Sequence, residues 1–145
     1  MLHATPFLLF DGNCAEAMTF YHDALGGDLT LTKLADTPMK DMFPQEKWER
    51  LINAHLKSGD IEISATDWMA SPQYEPEQGN TTAIFVIGEG YDELETIFGK
   101  LSEGIDKESQ GSRFQELHEL PFGTYGQFTD KYGVHWIFKG DKKEP

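Results

Sequence analysis

Phe7 to Gly27 reads FLLFDGNCAEAMTFYHDALGG, and this stretch decides the fold. Phe7-Leu8-Leu9-Phe10 is an apolar run of strand length. Asp11-Gly12-Asn13 is turn chemistry, because Gly tolerates positive φ and Asn is a favoured helix N-cap. Cys14, Ala17, Met18, Tyr21, Ala24 and Leu25 then recur at helical spacing and share one face. Gly26-Gly27 stops the helix. A degenerate copy begins about 77 residues later, with Ile84-Phe85-Val86-Ile87, the turn Gly88-Glu89-Gly90, and Tyr91, Leu94, Ile97, Phe98 and Leu101 on one helical face before Gly104. A unit that occurs twice predicts two similar half-domains facing each other, with the site in the cleft between them.

Outward from these units, the pattern predicts strands over 28–35, 51–57 and 61–66. The last two are joined by the tight turn Ser58-Gly59-Asp60. Residues 36–50 carry Pro38 and Pro44 and read as a loop or short irregular helix. Asp67 to Asn80 is rich in Pro, Gly and polar residues and reads as the break between halves. Strands are then expected over 81–87, within 105–116, over 122–129 and over 134–139, with the second helix over 90–102. The fold class is α+β: two βαβββ modules, over 1–70 and 81–145, joined by a linker over 71–80, with mostly antiparallel pairing in a curved cup.

Composition narrows the function. With 145 residues, 39% hydrophobic and 12% aromatic, the chain can bury a real core. Its net charge of −13 argues against nucleic acid and anionic membrane as partners, since phosphate binding rests on Lys and Arg. No apolar run approaches the roughly 20 residues that span a bilayer. The single Cys14 suits a reducing cytoplasm and reads as a small packed residue at a helix start. No signal peptide is visible, so a cytoplasmic location is expected.

Two motifs carry a resemblance that covers nearly the whole chain. Phe10 to Gly27 (FDGNCAEAMTFYHDALGG) and Thr129 to Trp136 (TDKYGVHW) resemble the vicinal oxygen chelate, or glyoxalase/bleomycin-resistance/dioxygenase, superfamily, and within it PhnB-like proteins. The resemblance implies paired βαβββ modules, a cup for a small-molecule ligand, and a homodimer. Some PhnB-like proteins carry a ubiquinone methyltransferase label. The chain lacks the G-x-G-x-G loop, and no parallel sheet is expected, so that activity is discounted. Metal-dependent members of the superfamily hold a divalent ion at positions that fall near Pro6, Glu62, Thr82 and Ile137. Glu62 alone is a ligand type, so no metal and no cofactor are expected.

The candidate site residues follow. Glu62, flanked by Ile61 and Ile63, is the candidate catalytic residue: facing an apolar cup, its carboxyl would have a raised pKa and serve as a general acid or base. Ser64 and Thr66 share its face. His55, Ser64, Trp68, Tyr125, Phe128, His135 and Trp136 are the candidate ligand-binding residues, the aromatics because such side chains line small-molecule pockets. The expected function is binding or sequestering a small molecule without a metal. The alternative is a glyoxalase-like lyase, isomerase or dioxygenase with a metal on Glu62 plus His55 or His135.

Overall fold

The computed structural model describes residues 1–69 and 76–143. The chain divides into two units, one over Met1–Glu77 and one from Gln78 onward. Residues 70–75, which include the first half of the expected linker, lie outside the described residues.

The first unit runs β1 (Phe7–Phe10), α1 (Cys14–Leu25), β2 (Asp28–Lys33), three short 3-10 turns between Leu34 and Lys47, β3 (Leu51–Ser58) and β4 (Ile61–Asp67). The second runs β5 (Ile84–Ile87), α2 (Tyr91–Leu101), the single turn α3 (Lys107–Gln110), a 3-10 turn (Gly111–Arg113), β6 (Gln115–Leu120), β7 (Gly123–Thr129) and β8 (His135–Gly140). Each unit is therefore a βαβββ module, with sheet orders β1-β4-β3-β2 and β5-β8-β7-β6. Pairing is antiparallel except that the first strand of each module lies parallel to its last, β1 on β4 and β5 on β8. Pairing is thus mostly antiparallel, as expected, and neither sheet is parallel throughout.

Helix α1 turns Cys14, Ala17, Met18, Tyr21 and Ala24 inward, and all five are buried. They pack on the sheet face carrying Ala54, Leu56, Ile63 and Ala65, each fully buried. A large apolar side chain removed from water in this way stabilises by about 1.5–3 kcal/mol. Gly26 caps the helix, and Gly27 follows with φ +83, where a Cβ would lie 2.6 Å from Ser58 Cα. Only Gly lets β2 start so close to the β3–β4 hairpin. In the second module Leu94, Phe98 and Leu101 of α2 bury against Phe128, Trp136 and Phe138.

Two expectations fail at element ends. Asn13 makes no side-chain cap to α1. The Asp67 carboxylate takes that place, its Oδ1 accepting from the backbone N–H of Gly12 and of Cys14, each at 2.9 Å. Its Oδ2 accepts from Leu51 N–H at 2.9 Å, so this buried residue, expected to open a linker, ties three elements together. The strand expected within 105–116 starts only at Gln115, because Lys107-Glu108-Ser109-Gln110 forms a helical turn and β6 is defined by pairing with β7.

Candidate functional site

Side chains alternate across a strand, so each sheet has one face on its helix and one face away from it. In the first module the face away from α1 carries Glu62, with His55 opposite Ser64 and Lys57 opposite Glu62 in the antiparallel register. His55 Nε2 lies 2.7 Å from Glu62 Oε2, and His3 Nε2 lies 2.8 Å from Glu62 Oε1. An ionised carboxylate only accepts, so both rings donate through Nε2. His3, near the start of the chain, is thus a partner of Glu62 although its side chain is 67% exposed.

These contacts reverse the expected protonation behaviour of Glu62. The His55 hydrogen bond first, and the His3 hydrogen bond with it, outweigh desolvation and hold the carboxyl below its ordinary value of 4.5. Glu62 is a paired anion at neutral pH and does not have the raised pKa expected of a general acid. A folded-state pKa below the unfolded value gives stability present above the unfolded value and lost as pH falls through the folded one. Glu62→Gln is therefore expected to lower Tm at pH 7 and to converge on the parent as pH falls below 4.5, so its Tm falls less with acid, which thermal unfolding across that range reads directly.

Other first-module expectations divide. Ser64 is half-buried beside His55. Thr66 donates from Oγ1 to Ile52 O at 2.9 Å, so its hydroxyl is spent on the sheet. Trp68 continues the β1–β4 ladder, donating its N–H to Phe10 O at 2.6 Å, and its own carbonyl accepts from Arg50 at 2.8 Å. Cys14 is packed as expected: burial first, and then the Asp67 carboxylate, pushes its thiol up to about 12. The thiol stays protonated and unreactive.

The second module holds a groove of about 710 Å³. Phe85 of β5, Tyr125 and Gln127 of β7, and His135 and Ile137 of β8 form its floor, and Thr81, Thr82 and Ala83 lead into it. The register explains the floor, since Phe85 pairs with Ile137, Gln127 with Ile137, and Thr129 with His135. Thr82 and Ile137, the second module's mapped metal positions, both line it and supply no carboxylate or imidazole. A smaller lobe of about 380 Å³ shares Asn80, Arg113 and His135 with the groove and adds Gln78 and Thr129.

Two of the expected ligand-binding residues lie outside the lining of this groove. Phe128 and Trp136 are fully buried on the helix side of the same sheet. Phe128 packs edge-on to Phe98 with centroids 4.9 Å apart, and Trp136 donates from Nε1 to Asp130 Oδ2 at 2.8 Å. They alternate with Gln127 and His135, so one residue of parity separates core from groove. Tyr125 and His135 do meet in the groove.

Arg113 is the groove residue that pattern reading passed over. Gln110 holds its segment in place, donating to Thr129 O at 2.6 Å and accepting from Thr129 N–H at 2.9 Å. Thr129 Oγ1 is 3.0 Å from His135 Nδ1. Burial first, and then the Arg113 charge, lowers the His135 pKa below its ordinary 6.5, so the ring is neutral at pH 7. On the rim, Gln78 donates to Tyr132 O at 2.9 Å and packs over Gly133, whose φ of +88 and missing Cβ admit it. The signal available in sequence was rarity: Arg50 and Arg113 are the two arginines of an acidic chain.

Among the described residues, no group of three or more His, Cys, Asp or Glu side chains is arranged to hold a metal ion. Pro6, Glu62, Thr82 and Ile137, at the superfamily's metal positions, supply one carboxylate and no imidazole or thiolate, which does not fit a divalent ion.

Duplicated βαβββ modules with parallel first and last strands define the vicinal oxygen chelate, or glyoxalase/bleomycin-resistance/dioxygenase, class, and the chain is a PhnB-like member of it. It belongs to the family described as 3-demethylubiquinone-9 3-methyltransferase, whose model matches residues 3–138. The chain is similar to protein PA1353 from Pseudomonas aeruginosa, with a TM-score of 0.80 and 29% identity over 98% of this chain and 99% of that one. It is similar to the PhnB protein from Bacillus cereus, with a TM-score of 0.68 and 22% identity over 96% and 99%. Protein YjdN of Escherichia coli (strain K12) is 22% identical over 97% of each chain.

The family description implies S-adenosylmethionine, and the residues do not fit a glycine-rich cradle for it. The turn after β1 has one Gly, and the amides of Gly12 and Cys14 already bond Asp67. The sheet that follows is mixed rather than parallel. No helix of the described residues is long and apolar enough to cross a membrane.

Proposed function

We propose that the chain binds a small organic molecule with an apolar or aromatic part in the groove of its second module, without a divalent metal, as a binding or sequestering protein. The observation that carries this reading is the groove itself. Its volume of about 710 Å³ falls in the usual range for ligand sites, and its floor sets Phe85, Tyr125 and Ile137 beside a few polar groups. Phe85 keeps 53% of its surface exposed, an apolar ring left where a ligand could cover it. Glu62, as an anion paired with two imidazoles, suits holding a polar arrangement better than moving a proton near neutrality.

The test uses a neutral aromatic probe, N-phenyl-1-naphthylamine, whose fluorescence rises in apolar surroundings. The parent protein is expected to bind it with or without prior dialysis against EDTA. Ile137→Trp, which fills the groove from its floor, is expected to weaken binding about tenfold or more, a difference of about 1.4 kcal/mol, with Tm unchanged. Equal binding by parent and variant would overturn the reading. So would binding that vanishes with EDTA and returns with a divalent ion.

A further inference from the structure

We infer that the ligand of this groove carries an anionic oxyacid group, a carboxylate or a phosphonate, which Arg113 receives at the junction of the two lobes while the apolar body lies on Phe85, Tyr125 and Ile137. The inference rests on the groove being the binding site and goes further by naming the ligand's charge.

Four observations carry it. First, Arg113 lines both the larger groove and the smaller lobe, so the residue stands where the two meet. Second, among the described residues no carboxylate lies within ion-pair distance of Arg113, in a chain with 25 acidic residues against 12 basic ones. The other arginine shows what this chain does with a structural guanidinium: Arg50 bonds Asp11 Oδ1 and Trp68 O, each at 2.8 Å. Third, Arg113 is placed by a built support. Gln110 makes two hydrogen bonds to the Thr129 backbone, and Gln127 reaches Ser112 O at 3.5 Å, fixing both sides of the short turn that bears Arg113. Fourth, the groups beside it suit an oxyanion's surroundings. Asn80 and His135 are shared by both lobes, and among the described residues no acidic side chain lines either lobe.

The planar guanidinium presents paired N–H donors that match carboxylate and phosphonate oxygens, and such charge-assisted pairs are about twice as strong as neutral ones. The apolar side of the groove sets the other half of the ligand. Phe85 and Ile137 pair across β5 and β8, and Tyr125 stands on the neighbouring strand with its hydroxyl engaged by Gln127 at 3.1 Å. A molecule that satisfies both ends is amphipathic, with a flat or branched apolar body and one anionic end.

Three probes of one shape test this on the full chain: 1-naphthoate, 1-naphthylphosphonate and neutral 1-naphthamide. At low ionic strength, at least one anion is expected to bind about tenfold or more tightly than the amide, and the stronger of the two names the head group. Arg113→Met keeps the side chain's length and removes its charge. It is expected to erase that preference, read as the ratio of anion to amide affinity within the same variant, and to leave the Tm as it was, since Arg113 is exposed. Arg113→Lys is expected to restore only part of the preference, because an ammonium lacks the planar fork. Anions that bind no better than the amide, or an Arg113→Met variant that keeps the preference, would overturn the inference. If the neutral amide binds and Ile137→Trp blocks it, the groove reading survives that failure. If no probe binds, both fall together.

Discussion

Asp67→Ala is expected to destabilise the chain by about 2–6 kcal/mol, because it orphans two fully buried backbone donors at about 1–3 kcal/mol each. Those donors are Cys14 N–H and Leu51 N–H, each 2.9 Å from the carboxylate, and a third, Gly12 N–H, loses the same partner. The first two lie in different parts of the module, one at the start of α1 and one at the start of β3. The variant therefore uncaps the helix and loosens the end of the sheet at once. The lost negative charge also stood at the helix N-terminus, where it is favourable. For a chain of this size the loss corresponds to a fall in Tm of roughly 10 °C or more. Asp67→Asn tests the cause, since it keeps the volume but can turn an NH2 donor toward N–H groups that need an acceptor. It is expected to lose most of what the Ala variant loses. A matched control, Asp23→Ala on the exposed side of α1, should stay within about 0.5 kcal/mol. If Asp67→Ala unfolds within about 2 °C of the parent, the carboxylate is not the cap described here.

Phe98→Ala is expected to cost about 3–5 kcal/mol, the range for removing a large buried aromatic from a packed core. Phe98 is 6% exposed. Its ring meets Phe128 edge-on at 4.9 Å and Phe138 at 5.1 Å between centroids. Gly126 leaves room for it, as a Cβ there would come within 3.0 Å of Phe98 Cε2. The cavity left by Ala is walled by rigid rings and strand backbone, which cannot collapse to fill it. Urea unfolding should show a lower midpoint with the slope kept, and Phe98→Leu should lose clearly less. Phe128 lies on the far side of the sheet from Gln127 and Tyr125, so the variant also separates stability from binding. Measured well below its Tm, it should still bind the neutral probe in the groove. A variant that unfolds like the parent, or whose slope changes instead of its midpoint, would speak against this packing.

The repeat was legible in residues because it is local. Cys14, Ala17, Met18, Tyr21 and Ala24 share a helical face by spacing alone, and the structure buries all five. The same holds for Leu94, Phe98 and Leu101. The paired βαβββ order followed from those two units and their turns, and the resemblance supplied the class. Among the site residues, Tyr125 and His135 came from strand position and residue type, and both line the groove. His55 and Glu62 were expected as hairpin neighbours and stand 2.7 Å apart.

What failed shared a physical origin. Phe128 and Trp136 have the chemistry of ligand contacts, but β-strand parity sends them into the core, and parity depends on register that no local pattern sets. Asn13 looks like a helix cap, yet the acceptor comes from Asp67, 53 residues from Cys14 along the chain. Glu62 looked like a carboxyl in an apolar cup, and His55 first, with His3 from beyond β1, makes it a stabilised anion instead. Composition and spacing by themselves determined the repeat, the helix faces and the order of elements along the chain. Tertiary structure decided which face of each strand looks outward, which carboxylate caps α1, what charge state Glu62 keeps and where Arg113 stands. The reason is that periodicity acts between neighbours in the chain, whereas hydrogen-bond partners, burial and register are set by residues that only folding brings together.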